Sequence, residues 1–371
     1  MPLAINSAFD GGNISVVSAS SPDQIRLNIR KDHMSDYYQW FYYRVSGAKD
    51  TPCRMVIENA GGSAYPAGWP GYQACASYDR ETWFRVPTAY ENGELVITHT
   101  PHYDLIYYAY FAPYTMERHQ DMIADFMQCD GVSYRALGQS LEGQPIDCLH
   151  IGEGEKTVWV IARQHPGETM AEWWMEGFLT RLCDPDDPVA RRLKSLAQFY
   201  IVPNMNPDGS RRGHLRTNAV GVNLNREWDM PSLEKSPEVF QVLAAMDKTG
   251  IDLALDVHGD ESLPYNFIAG SEGMPGFSVA DEARLKRYKE TLMKASPDFQ
   301  IRHGYPRNAP GKANKAIAGN ALYGRFGCLS MTLEMPFKDN ADLPDPLFGW
   351  SPRRCQHLGA ANLDAMLADL G

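Results

Sequence analysis

The hydrophobic rhythm of the chain changes about a third of the way along. In the first part, short runs rich in aromatic and β-branched residues alternate with turn formers. Tyr38–Val45, Met55–Ile57, Trp83–Val86, Glu94–Thr98 and Leu105–Phe111 read as strands, because such side chains fit a pleated, half-buried surface. Gly61-Gly62 and Asn92-Gly93 separate them. Asn92-Gly93 predicts a type I′ hairpin, in which both central residues need positive φ. Short strands at this spacing predict an all-β sandwich over residues 1–114.

From residue 115 the pattern is that of an α/β domain. Thr115 ahead of Met116-Glu117-Arg118 predicts a helix N-cap, and Met116, Met122, Ile123, Phe126 and Met127 supply an apolar face. Continuous apolar runs at Val158–Ala162, Phe199–Val202, Leu253–Val257 and Leu329–Leu333 read as strands covered on both faces. Helical patterns fit 169–182, 236–248, 280–295 and 356–370. Strands alternating with helices predict an α/β domain over residues 115–371, with a mixed, largely covered β-sheet.

Length and composition narrow the picture. The 371 residues suit two domains. No run approaches the roughly 20 consecutive apolar residues needed to span a bilayer. The segment Met1–Asn6 lacks both a basic stretch and an apolar core, so no signal peptide is expected. Seven cysteines, an odd number without a CxxC pair, argue against a disulfide framework and a thiolate metal site. A formal net charge of −11 opposes binding to nucleic acid or an anionic membrane. A cytoplasmic protein with neither partner is expected. A few cations in a cleft would still suit an acidic substrate.

Four segments carry chemistry. Gln164-His165-Pro166-Gly167-Glu168-Thr169 follows a strand and opens a helix, so His165 and Glu168 can converge on one point. An imidazole plus a carboxylate suits Zn²⁺; the plainer reading is a surface His and a Glu favoured by the helix dipole. Asp256-Val257-His258-Gly259-Asp260 ends an apolar strand, where α/β enzymes place their sites. Strand periodicity puts Asp256 and His258 on one side. His258 can complete a His₂Glu set, or simply bond a neighbouring carboxylate. Glu334, at the end of Leu329–Leu333, fits a general acid/base beside a metal, or a structural ion pair with an arginine. The long loop from Pro203 to Arg226 is dense in Asn, Gly and Arg. There Asn225 and Arg226 suit a carboxylate clamp and Arg216 an oxyanion stabiliser, unless the loop is merely solvated.

The order of these motifs resembles that of the zinc metallocarboxypeptidases. The aromatic segments Tyr38–Tyr42, Ser77–Arg80 with Trp83 and Arg85–Thr88, and Ala109–Tyr114 resemble the β-sandwich peculiar to the cytosolic carboxypeptidase subfamily. The resemblance spans roughly residues 10 to 360. It implies one Zn²⁺ held by His165, Glu168 and His258. It implies Glu334 as the catalytic glutamate, Arg216 as the oxyanion stabiliser, and Asn225 with Arg226 as the pair that binds a C-terminal carboxylate. The implied reaction is hydrolysis of the last peptide bond of a peptide or protein tail.

Two departures accompany it. Asn223 stands where secreted relatives have an aspartate that orients a zinc histidine, and a less basic ligand is the expected consequence. The mobile tyrosine of those relatives has no clean counterpart, since neither Tyr305 nor Tyr323 matches its spacing. Eukaryotic members of the subfamily remove glutamates, so an acidic C-terminal residue is the expected preference, with Arg307, Lys312, Lys315 and Arg325 as candidate cations. The alternatives are a zinc deacylase acting on N-acyl amino acids and a binding protein that kept the fold without the chemistry.

Overall fold

A computed structural model describes residues 3–371, so the first two residues of the N-terminal segment lie outside it. The N-terminal part forms two five-stranded sheets. One runs in the order Ala4–Asn6, Tyr42–Ser46, Leu105–Ala109, Ala74–Ser77, Phe84–Val86 and is antiparallel throughout. The other runs Ser15–Ala19, Ile25–Asn28, Cys53–Ile57, Glu94–His99, Thr88–Glu91, with a parallel pair between its second and third strands. The hairpin at Asn92-Gly93 forms as the sequence requires. Glu91 pairs with Glu94, and the two turn residues take φ of 52° and 83°. The strand expected from Tyr38 begins only at Tyr42; Tyr38–Phe41 is buried but unpaired as a strand. Gln39 there is spent on the loop at Tyr65 and on the Tyr110 hydroxyl.

The C-terminal part is built on a seven-stranded mixed sheet. Its order is Val132–Gln139, Pro145–Ile151, Ala197–Val202, Lys156–Ala162, Leu253–Asp260, Leu329–Pro336, Phe267–Ala269. The four strands from Ala197–Val202 to Leu329–Pro336 are mutually parallel. Alternation along Lys156–Ala162 divides its side chains between two layers. Val158 and Val160 join a core with Phe178, Leu358 and Met366, while Trp159 and Ile161 join one with Val239, Met246 and Leu322. Both faces are therefore covered, which is why these strands read as unbroken apolar runs. Helices Met170–Cys183 and Pro352–Leu370 approach very closely. A Cβ added at Gly177 would fall 2.1 Å from the Gln356 carbonyl oxygen.

Several elements escaped the sequence reading. Pro207–Arg212 is a short helix inside the run expected to be loop. The Asn206 side chain accepts the N–H of Gly209, and Pro207 occupies the first turn. The Asn-Pro that looks like a turn former is thus a cap followed by a permitted first helical residue. The expected cap at Thr115 is present, its side chain accepting from the Arg118 N–H.

The antiparallel sheet of the N-terminal part, with the segment that follows its strand Leu105–Ala109, packs on the rest. The Arg85 guanidinium donates to the carbonyl oxygens of Phe337 at 2.9 Å and Trp350 at 3.1 Å, as well as to Gln73 at 2.7 Å. Tyr110 stacks on Phe337 with ring centroids 4.4 Å apart. Thr169 and Trp173 both donate to the Ala112 carbonyl.

Candidate active site

The site lies at the C-terminal ends of the parallel strands, where open α/β sheets bind ligands. His165 and Glu168 occupy the turn between Lys156–Ala162 and the helix Met170–Cys183. Arg163, itself at φ 56°, braces that turn by donating from Nε to the Pro166 carbonyl at 3.0 Å. Gly167 donates its N–H to Leu215 at 2.9 Å, and a Cβ there would meet the same oxygen at 2.9 Å. His258 and Glu334 are direct partners in the register of the two neighbouring parallel strands.

The ligating atoms of His165, Glu168 and His258 lie within 4.8 Å of one another, and all three residues are buried. Each imidazole is oriented from behind through Nε2. That of His165 meets Asn223 Oδ1 at 3.1 Å, and that of His258 meets Asp256 Oδ2 at 2.8 Å. Both rear partners accept, so a neutral ring that donates to them from Nε2 turns the lone pair of Nδ1 to the front. Those two atoms stand 3.2 Å apart, with the Glu168 oxygens at 2.6 and 2.7 Å from them. Three electron-rich atoms facing one point repel unless a cation sits among them. The donor set fits Zn²⁺, with acceptors fixing each imidazole tautomer from behind. The electrostatics agree. Burial would raise the Glu168 carboxyl, but His165 and His258 hold it low. Burial, with Arg216 adding to it, pushes His165 down to about 4, which favours the neutral ring that a metal needs. His258 departs from this: burial would lower it, but Asp256 and Glu168 raise it well above the ordinary value, so a metal bound there would have to displace its front proton.

Around this cluster lies a cavity of about 630 Å³, lined by Arg216, Asn225, Arg226 and Glu334 among others. All seven residues singled out in the sequence are thus brought to one place. Asn225 commits its Oδ1 to the Ala318 N–H at 2.9 Å, and its amide nitrogen, 3.4 Å from His258 Nε2, keeps a second hydrogen for a ligand. Arg226 is exposed at the cavity and donates to the Asn225 carbonyl. Burial, together with the negative Glu168 and Asp260, lifts Glu334 well above the ordinary carboxyl value, against His258 and a hydrogen bond from Tyr305.

Sequence reasoning weighed Tyr305 by its spacing and gave it no role. Its hydroxyl lies 2.7 Å from Asp260 Oδ2 and 3.1 Å from Glu334 Oε1. It sits in an irregular stretch without periodicity, so no pattern marks it; Asp260, in step with Asp256 and His258 along one strand, was the better signal. The candidate cations were also misjudged in part. Arg307 lines the cavity, but Lys312 and Lys315 are exposed outside it, and Arg325 pairs with Asp247 at 2.6 Å. Lys289, on the helix Val279–Ala295, lines the cavity instead.

Among the described residues no helix is long and apolar enough to cross a membrane. Residues 5–111 match the cytosolic carboxypeptidase N-terminal domain, and residues 122–346 match the zinc carboxypeptidase family. A protein of Zymomonas mobilis is 56% identical over 370 residues, covering 100% of this chain and 97% of that protein. Mouse cytosolic carboxypeptidase 6 is 27% identical over 332 residues, covering 80% of this chain and 60% of its own length. The structure of a metallo-carboxypeptidase from Pseudomonas aeruginosa, in complex with (2-guanidinoethylmercapto)succinic acid, superposes with a TM-score of 0.96 at 48% identity, covering 98% of each chain. With more than half of its length matched and a His₂Glu site at the expected strand ends, this chain belongs to the zinc carboxypeptidase family, as a metallo-carboxypeptidase of the cytosolic type.

Proposed function

We propose that the protein removes the C-terminal residue from peptides or protein tails, with an acidic residue preferred. The observation that carries the reading is the convergence of His165, Glu168 and His258 beside Glu334 in a cavity that Arg216 and Arg226 also line. When bound, zinc supplies Lewis acidity that polarises the scissile carbonyl and makes the attacking water more acidic. His165, Glu168 and His258 are its ligands. Arg226, with the Asn225 amide, holds the substrate's terminal carboxylate through a guanidinium fork. Arg216 donates to the carbonyl oxygen as it gains charge. Glu334 takes a proton from the water as its oxygen bonds to the carbonyl carbon. It delivers that proton to the nitrogen as the C–N bond breaks. The raised proton affinity of Glu334 suits both halves of that transfer.

The acidic preference rests on Lys289; Arg307 also lines the cavity but pairs with Glu282 at 2.6 Å. Lys289 is mostly buried, and its ammonium lies 3.9 Å from Glu272 Oε1, beyond hydrogen-bonding distance. Burial pulls its pKa down against Glu272, so a second carboxylate in the cavity would stabilise its charge. The compound in the Pseudomonas relative carries the two carboxylates of succinate and a guanidinium, so it supports a site for a terminal carboxylate and does not choose between acidic and basic side chains. Residues 1–114 are read as the β-sandwich domain and 115–371 as the catalytic domain. The described cysteines are all free thiols, which supports a cytoplasmic setting. Release of C-terminal Glu, Lys and Phe from matched peptides, by wild type and Lys289→Met, tests the preference. Glu first in wild type and selectively slowed in the variant is expected; Phe first would overturn it.

A further inference from the structure

The loop that carries Arg216 is gripped from the N-terminal sandwich, and the grip converges on one carboxylate. Asp32 is only 2% exposed. Its Oδ1 accepts the Leu215 N–H at 2.7 Å. Its Oδ2 accepts the N–H groups of Arg216 at 2.8 Å and Thr217 at 2.9 Å, and the Thr217 hydroxyl at 3.1 Å. Three consecutive backbone donors turned on one anion form a nest, which fixes the local backbone more tightly than a single bond would. Neighbouring contacts reinforce it. The His33 N–H donates to His214 Nε2 at 3.0 Å, and the Asn13 side chain donates to the Gly213 carbonyl at 2.9 Å.

The Arg216 side chain is met by the same part of the chain. Its guanidinium carbon lies 5.3 Å from the Tyr65 ring and 5.7 Å from the Tyr37 ring, within cation–π range. Its Nε is buried without a hydrogen-bond partner among the described residues. The guanidinium is therefore aimed by stacking and by its backbone, with hydrogen-bonding capacity left over. Residue 215 extends the same restraint to the metal turn, because its carbonyl accepts the Gly167 N–H at 2.9 Å.

We propose that Asp32 is a positioning residue for Arg216, so that the N-terminal sandwich completes the oxyanion-stabilising part of the active site. Tyr37 and Tyr65 form the cradle and Asp32 sets the backbone beneath it. The inference rests on the reading of Arg216 as the donor to the carbonyl oxygen. Asp32 itself touches neither substrate nor the metal ligands; it acts through the loop.

A double-mutant cycle with Asp32→Ala and Arg216→Ala in the full-length, zinc-loaded protein tests it. Arg216→Ala is expected to lower kcat by about 10²–10³-fold, the usual effect of losing an oxyanion donor. Asp32→Ala is expected to lower kcat by about 10- to 100-fold, the scale of an ångström-sized misplacement, with KM and bound zinc little changed. In the double variant the Asp32→Ala loss should largely vanish, because the group it positions is gone. Multiplying losses, or an unchanged kcat in Asp32→Ala, would overturn the inference while leaving the reading of Arg216 intact. An unchanged kcat in Arg216→Ala would instead sink that reading. Asp32→Asn, which keeps the shape and one acceptor oxygen, runs the same cycle if the alanine variant does not fold.

Discussion

The imidazole Nε2 of His165 lies 3.1 Å from Asn223 Oδ1, and the same oxygen accepts the backbone N–H of Asn225 at 3.0 Å. One neutral amide therefore orients a proposed zinc ligand and starts the turn that presents Asn225 and Arg226. His258 has the charged Asp256 in the corresponding role, and Gln164 steadies that carboxylate at 2.7 Å. The two imidazoles are unequal in basicity for that reason. Asn223→Asp should tighten zinc binding, and Asn223→Ala should weaken it about 10–100-fold. Zinc competition against a chelator measures both; equal affinities across wild type and both variants would contradict the relay.

The contact between Tyr305 and Glu334 predicts a pH shift. Burial, Glu168 and Asp260 raise the Glu334 carboxyl, while His258 and the Tyr305 hydrogen bond lower it. The general base works deprotonated, so kcat/KM should rise with pH through a limb above the ordinary carboxyl range of about 4.3. Tyr305→Phe removes a bond that favours the carboxylate, so the limb should move to higher pH. A limb that stays put or moves to lower pH contradicts that contact.

A second buried cluster predicts a stability profile. His119 Nδ1 lies 2.6 Å from Glu172 Oε1 and its Nε2 lies 2.9 Å from Asp147 Oδ2, while Arg163 closes the cluster on Glu172. Burial opposes the charged ring, but Glu172 and Asp147 raise it from 6.5 to about 9. A folded pKa above the unfolded one stabilises fully below the unfolded value, and that stabilisation is lost as pH rises through the folded value. Thermal stability should therefore fall between about pH 6.5 and 9 more steeply in wild type than in His119→Gln. At neutral pH that variant should lose roughly 3 kcal/mol, the lower end of the cost of breaking a buried ion pair. Parallel profiles would contradict a charged His119.

What could be read from the sequence was what is local or strongly periodic. The parallel strands announce themselves because both faces are covered, and Asn92-Gly93 because its φ values leave few other residues. The proposed metal ligands, which the fold brings together, are legible because three short motifs stand in a fixed order. What stayed hidden depends on the fold bringing distant residues together. Asp32 meets the amides of residues 215–217 from almost two hundred positions away. Lys289 sits on a helix that the sequence marked only by its pattern, yet it lines the cavity. Tyr305 lies in a stretch whose only order is tertiary. Pro207–Arg212 failed for a different reason, since an Asn-Pro start is chemically the same for a turn and for a capped helix.

The account stands most directly on Glu334. Wild type and Glu334→Gln, each loaded with one zinc, are incubated with a peptide bearing a free C-terminus and with its C-terminal amide, and the products are followed by mass spectrometry. The predicted result is loss of a single C-terminal residue from the free-acid peptide alone, by wild type. In the variant the rate should be lower by about 10²–10⁴-fold with zinc retained. Undiminished activity in zinc-loaded Glu334→Gln, or equal cleavage of the amidated peptide by wild type, would contradict it.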